Sequence, residues 1–137
     1  YLSSAKSLDV SLRCDADEVH VEAQSANIYV VIENLLQNAI TYSHEKSEIV
    51  LSLSSDNSVV TLKVSDRGVG IDPDERSRIF DRFYRIKGNV QTGSGLGLAI
   101  VKSLLNSYKA QITVDDGIGG QGVTFTVTFK KHRLKTA

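Results

Sequence analysis

Between Asp66 and Gly97 the chain cannot be one regular element. Asp66-Arg67-Gly68-Val69-Gly70-Ile71 opens this stretch, and Gly93-Ser94-Gly95-Leu96-Gly97-Leu98-Ala99-Ile100-Val101 closes it. Glycine at this density interrupts helices and strands. It marks backbone that turns tightly or lies close against something else. The second cluster runs straight into an apolar, helix-patterned segment. Free backbone N–H groups and the positive end of a helix then face the loop, where an anion can sit. A phosphate-bearing ligand is the first expectation for this stretch.

The flanking segments are regular. Leu8, Val10 and Leu12 alternate with polar residues, which predicts a strand to about Arg13. Val19, Val21 and Ala23 predict a second, after a turn at Asp15 to Glu18. Ile28, Val31, Ile32, Leu35, Leu36, Ala39 and Ile40 recur at helical spacing, predicting an amphipathic helix to Tyr42 with Ser25 or Asn27 as its cap. Its other faces carry Glu33, Asn34, Gln37, Asn38 and Thr41. Asn34 and Asn38 lie one turn apart on one face. Asparagine competes for the backbone and is a mediocre helix former, so two of them mid-helix call for a reason.

Glu48 to Ser54 and Ser58 to Ser65 alternate cleanly around Asp56-Asn57 and predict a hairpin that ends just before Asp66. Asp72-Pro73-Asp74 predicts a short helix, Arg85 to Gly93 a mobile loop, and Leu96 to Leu105 a second long helix. Gln111 to Asp115 and Val123 to Phe129 predict closing strands, joined by the glycine-rich turn at 117–122. Strands cluster rather than alternate strictly with helices. The expected fold class is therefore α+β: a two-layer α/β sandwich, its mixed and mostly antiparallel sheet covered by helices on one face.

With 137 residues the chain can bury the core of one domain. We expect a linker at 1–7, the domain at 8–130 and a basic tail at 131–137. Sixteen basic and sixteen acidic residues balance, so bulk charge predicts neither a nucleic-acid partner nor direct membrane contact. Arg76, Arg78, Arg82, Arg85 and Lys87 do cluster inside the glycine-rich stretch. The C-terminal Lys130-Lys131-His132-Arg133-Leu134-Lys135 reads as a solvated chain end. Cys14 stands alone and excludes an internal disulfide. No run of about 18 apolar residues predicts a membrane span. The start at Tyr1 and the absence of methionine predict a piece of a longer protein.

Several phosphate sites are excluded by spacing. There is no G-x-x-x-x-G-K-[ST], and Gly93-Ser94-Gly95-Leu96-Gly97 departs from the dinucleotide pattern and follows a loop. The protein-kinase lysine strand and catalytic loop are missing. His20, His44 and His132 are scattered and make no zinc-like or triad pattern.

Four segments together carry a resemblance. Asn34-Leu35-Leu36-Gln37-Asn38-Ala39-Ile40-Thr41-Tyr42-Ser43 resembles the N box of sensor histidine kinases, and Asp66 to Ile71 resembles the G1 box. Phe80-Asp81-Arg82-Phe83-Tyr84-Arg85 resembles the F box, and Gly93 to Lys102 the G2 box. Their order and approximate spacing are those of the family, over roughly residues 8–130. The resemblance implies the Bergerat ATP-binding sandwich shared with type II topoisomerases and mismatch-repair ATPases.

It also implies roles. Asn38 would bind Mg²⁺ through its side-chain oxygen, as a hard cation requires. Asn34 would lie near the phosphates, and Tyr42 would line the pocket. Asp66 would accept a hydrogen bond from the adenine amino group. Gly68, Gly70 and Ile71 would pass close to base and ribose. Gly93, Ser94, Gly95, Leu96, Gly97 and Leu98 would wrap the phosphates at the helix start. Phe80 would belong to the nucleotide site through the segment that supports the mobile ATP lid; the structural alternative is that Phe80 and Phe83 pin the loop base into the core. Arg82, Arg85 and Lys87 would neutralise phosphate charge. Thr124 would reach adenine through a water. Glu33 stands one residue before the place where hydrolysing relatives carry a glutamate base, and it would assist proton handling. Thr41 stands where many members have Lys or Arg, and Arg67 where asparagine is more usual.

The implied activity is protein histidine kinase, with Mg²⁺–ATP as cofactor and the γ-phosphate passed to a histidine on a separate dimerisation hairpin. That histidine's usual context, an acid and then a proline a few residues on, is missing here. The expected setting is a cytoplasmic domain, monomeric in isolation. Its parent would be a homodimeric integral membrane protein that serves a response regulator. A degenerate nucleotide-binding or docking module and an anti-sigma-type serine kinase are the alternatives.

Overall fold

The structure, a computed structural model, describes residues 9–14, 21, 23–43, 46–84 and 96–131. Its elements are β1 (Asp9–Cys14), α1 (Ser25–Tyr42), β2 (Glu48–Ser55), β3 (Val59–Asp66), α2 (Gly97–Ser107), β4 (Gln111–Asp116) and β5 (Val123–Lys130). Short 3₁₀ turns occupy Pro73–Glu75 and Ile118–Gly120. The five strands form one sheet in the order β1-β2-β3-β5-β4. Only β1 and β2 pair in parallel; the other neighbours are antiparallel. The mixed, mostly antiparallel sheet expected from the sequence is present.

Alternation explains the layers. In β5, Val123, Phe125, Val127 and Phe129 are buried while Thr124, Thr126 and Thr128 face the other way. In β3, Val60, Leu62, Val64 and Asp66 take the inner face and Thr61, Lys63 and Ser65 the outer. The outer face is hydroxyl-rich and solvated; the inner one carries the helices. Val31, Leu35 and Ala39 of α1 and Val101 and Leu105 of α2 supply their buried stripes. Helices pack against each other and onto the sheet, so one core serves the whole domain.

Several local expectations need correction. Ser25 and Asn27 lie inside α1 and do not cap it. The cap position is Gln24, with no side-chain cap bond of its own. Its N–H donates to the Tyr108 hydroxyl at 3.1 Å, and Asn27 Nδ2 donates to the same oxygen at 2.6 Å. The helix start is thus anchored by a residue from the end of α2. Of the strand expected at Val19 to Ala23, Val21 forms an isolated bridge to Lys131 and Ala23 lies in a bend; residues 15–20 and 22 fall outside the described residues. Lys131, expected to begin the tail, is bound in: its N–H donates to the Ser58 carbonyl at 2.9 Å and its ammonium to the Asp56 carbonyl at 3.2 Å.

α2 ends in a Schellman arrangement. Ala110 N–H donates to the Leu105 carbonyl at 2.9 Å, and Lys109 takes the left-handed position with φ 57°. No glycine marks that stop in the sequence.

Candidate functional site

Asp66 ends β3 on the inner face and is only 3% exposed. Its Oδ1 accepts from Gly68 N–H at 2.8 Å and from Val123 N–H at 3.1 Å. One carboxylate oxygen therefore joins the glycine loop to the start of β5 and fixes the carboxyl in place. Gly122 makes this possible. A β-carbon there would stand 2.4 Å from Asp66 Oδ1, and its φ of +87° is left-handed.

The glycine loop lies on the end of α1. Val69 N–H donates to the Tyr42 carbonyl at 3.2 Å. A β-carbon on Gly68 would stand 2.1 Å from that same carbonyl oxygen, so only glycine fits. Tyr42 is half-buried, as are Asn34 and Asn38 on the same face of α1. Asn34 Nδ2 donates to the Val30 carbonyl at 2.8 Å, which turns its Oδ1 toward the start of α2. That oxygen would stand 2.8 Å from a β-carbon on Gly97. The Asn38 side chain makes no hydrogen bond among the described residues. Among the described residues its half-buried carboxamide oxygen has no donor.

The remaining residues divide. Ile71 is buried, and its carbonyl accepts from Arg76 Nε at 3.1 Å. Phe80 is half-buried, edge-on to Phe125 with centroids 6.4 Å apart, and Lys102 lies 5.8 Å from its ring. Leu96 holds the cap position of α2 and Leu98 packs on the core. Glu33 is exposed. Tyr84 donates to Glu75 Oε1 at 2.7 Å, which raises the phenol above its ordinary value. Arg85, Lys87, Gly93, Ser94 and Gly95 lie outside the described residues.

Two placements differ from expectation. Thr124 Oγ1 donates to Ser65 Oγ at 2.9 Å, on the outer face of the sheet. Strand side chains alternate, so Thr124 is turned away from Asp66. Val123, which sequence reasoning passed over, holds the inner position beside it. The signal was parity: Asp66 ends an inward series, and its antiparallel neighbour must share its face. Phe83 does not pin the core. It is 61% exposed at φ 65°, with the Arg82 guanidinium 5.5 Å from its ring.

Mg²⁺ can be tested against this donor set. Among the described residues no group of three His, Cys, Asp or Glu could hold a metal. A single carboxamide oxygen at Asn38 suits an ion carried mainly by phosphates and water. Among the described residues no helix is long and apolar enough to cross a membrane.

Known proteins share the sequence pattern and the fold of this chain. Residues 23–133 match the family model described as histidine kinase-, DNA gyrase B- and HSP90-like ATPase. The swarming motility regulation sensor protein RssA of Serratia marcescens is 39% identical over 123 residues, which are 87% of this chain and 26% of RssA. The chain spans less than a third of the length of such curated relatives. Among solved structures, a mycobacterial sensor histidine kinase, MprB, is similar at TM-score 0.85 and 25% identity, covering 97% of this chain and 90% of that one. Full-length ShkA in complex with AMPPNP is similar at TM-score 0.82 and 28% identity, covering 98% of this chain and 28% of ShkA.

Proposed function

The chain belongs to the histidine kinase-, DNA gyrase B- and HSP90-like ATPase family, as an ATP-binding catalytic domain of the sensor histidine kinase type, and we propose that it holds Mg²⁺–ATP for phosphoryl transfer to a histidine on a separate helical hairpin. The observation that carries this reading is the meeting of three segments. Along the Asn34–Asn38–Tyr42 face of α1, the start of α2 at Gly97 meets Asn34, and the loop at Gly68 meets the Tyr42 end, joined there to the fixed carboxyl of Asp66.

Each group has a chemical task. Asp66 accepts from the adenine amino group; guanine presents a carbonyl there and is rejected. A carboxylate offers about four lone-pair sites, so one oxygen can hold the fold while the group reads a base. Asn38 contributes an oxygen to Mg²⁺, which when bound would neutralise phosphate charge. Asn34 and the α2 start orient the phosphates, and the family pattern assigns Gly93, Ser94 and Gly95 to the same ligand. The family pattern assigns Arg85 and Lys87 to neutralising phosphate charge. Glu33, exposed, is kept for proton handling at most. Val123 replaces Thr124 in the adenine end of the pocket. Phosphoryl transfer needs positioning and charge stabilisation more than covalent help.

We place the domain on the cytoplasmic side of a longer, membrane-anchored, homodimeric parent that serves a response regulator. Titration calorimetry of this chain with ATP and GTP, with and without Mg²⁺, tests the pocket. Mg²⁺-dependent binding of ATP but not GTP is expected; equal binding of both would remove Asp66 from its role. Transfer of labelled phosphate to a histidine-bearing hairpin in trans tests the reaction.

A further inference from the structure

From the loop geometry we infer that Arg76 is a positioning residue for the adenine end of the pocket. Its guanidinium forks between two segments: Nε donates to the Ile71 carbonyl at 3.1 Å, and Nη2 donates to Asp116 Oδ1 at 2.7 Å. Ile71 closes the glycine loop that begins at Asp66. Asp116 is the last residue of β4, just before the turn that leads to Val123. These two segments supply the N–H groups of Gly68 and Val123 that fix Asp66 Oδ1. Arg76 therefore ties together, from outside, the two arms that aim the base-reading carboxyl.

Burial separates this arginine from its neighbour. The Arg76 side chain is 21% exposed and makes two bonds, one to the backbone carbonyl of buried Ile71 and one to Asp116, itself 67% exposed. Arg67 is 41% exposed, and its ion pair runs to Glu48, itself 37% exposed. Exposed single pairs contribute little, whereas a planar fork that includes a backbone acceptor fixes a distance. Lysine cannot replace it, because one ammonium does not span both acceptors in fork geometry.

The inference rests on the nucleotide reading of the site, and the test separates the two. Calorimetry with ATP and GTP in the presence of Mg²⁺ is run on the unmodified chain, Arg76→Ala, Arg76→Lys, Asp116→Ala and the double alanine variant. Arg76→Ala is expected to weaken ATP binding about tenfold and to lower the ATP-over-GTP ratio by a similar factor. Asp116→Ala follows in the same direction, and the double variant is no weaker than Arg76→Ala. Arg76→Lys falls short of full rescue. Amide exchange at Gly68 and Val123 quickens in Arg76→Ala without nucleotide. If the unmodified chain binds ATP and Arg76→Ala keeps both affinity and ratio, with only its melting temperature lowered, the positioning role is overturned. Failure of the unmodified chain to bind ATP overturns the nucleotide reading, and this role with it.

Discussion

At the scale of single residues, the fold and the proposed base recognition share one side chain. Asp66 Oδ1 satisfies two buried backbone donors, Gly68 and Val123, so removing the carboxyl strands both. An orphaned buried donor costs about 1–3 kcal/mol, so Asp66→Ala is expected to lose about 2 kcal/mol or more of stability. Asp66→Asn keeps an acceptor oxygen and should stay within about 1 kcal/mol of the original chain in urea unfolding. Its other arm is then a donor, which opposes the adenine amino group. Affinity for ATP should fall at least about tenfold in both variants. The pair separates the structural task from base recognition. If Asp66→Asn binds ATP normally, the carboxylate does not read the base.

At the scale of elements, what the sequence made legible was local. The α1 stripe and the hairpin announce themselves through periods of about 3.6 and 2 residues. The β2–β3 turn does so through Asp56, whose Oδ1 accepts from Ser58 N–H and Val59 N–H, each at 2.8 Å. What stayed hidden depends on distant partners. The start of α1 is held by Tyr108, from the far end of α2, and no local cap signal can report that. The face of Thr124 is set by its pairing with Ser65, not by its place after a glycine. The Lys109 stop was illegible because its left-handed position usually advertises itself as glycine.

Two predictions belong to this scale. Lys109→Gly should relieve the left-handed strain and stabilise the chain by about 0.5–1 kcal/mol, after the greater freedom of unfolded glycine is allowed for. A raised urea midpoint at unchanged slope is the check. Asp56 predicts a pH dependence. The two backbone bonds, from Ser58 and then Val59, hold its carboxyl below the ordinary value of 3.8. The ionised form is favoured by folding, so this contribution is present above the ordinary value and is lost as pH falls through the lowered one. Asp56→Asn keeps the acceptor but cannot titrate. Subtracting its urea midpoints from those of the original chain should leave a difference that shifts against the original chain only in acid. A flat difference would show that the turn does not sense protons.

At the scale of the whole molecule, the helix pair is tied at one end and open to function at the other. Tyr108 joins the start of α1 to the end of α2, while Asn34 and Gly97 meet at the opposite pole. A ligand held there would join α1, the glycine loop, β3 and α2, and so stabilise the domain as a unit. At a free concentration of about 100 times the dissociation constant, this linkage is worth about 2.7 kcal/mol, which is several degrees of melting temperature for a chain of this size. The metal role proposed for Asn38 predicts how much of it depends on Mg²⁺. Its carboxamide has no hydrogen bond among the described residues, so Asn38→Ala strands no donor or acceptor. In the absence of nucleotide it should melt within a degree or two of the original chain, unlike Asp66→Ala. With Mg²⁺–ATP the two chains should part. The original chain gains its several degrees and loses most of them when EDTA removes the ion, while Asn38→Ala shows only the EDTA level throughout. If Asn38→Ala kept a full Mg²⁺-dependent shift, the ion would be held by phosphates and water alone, and the asparagine would be no ligand.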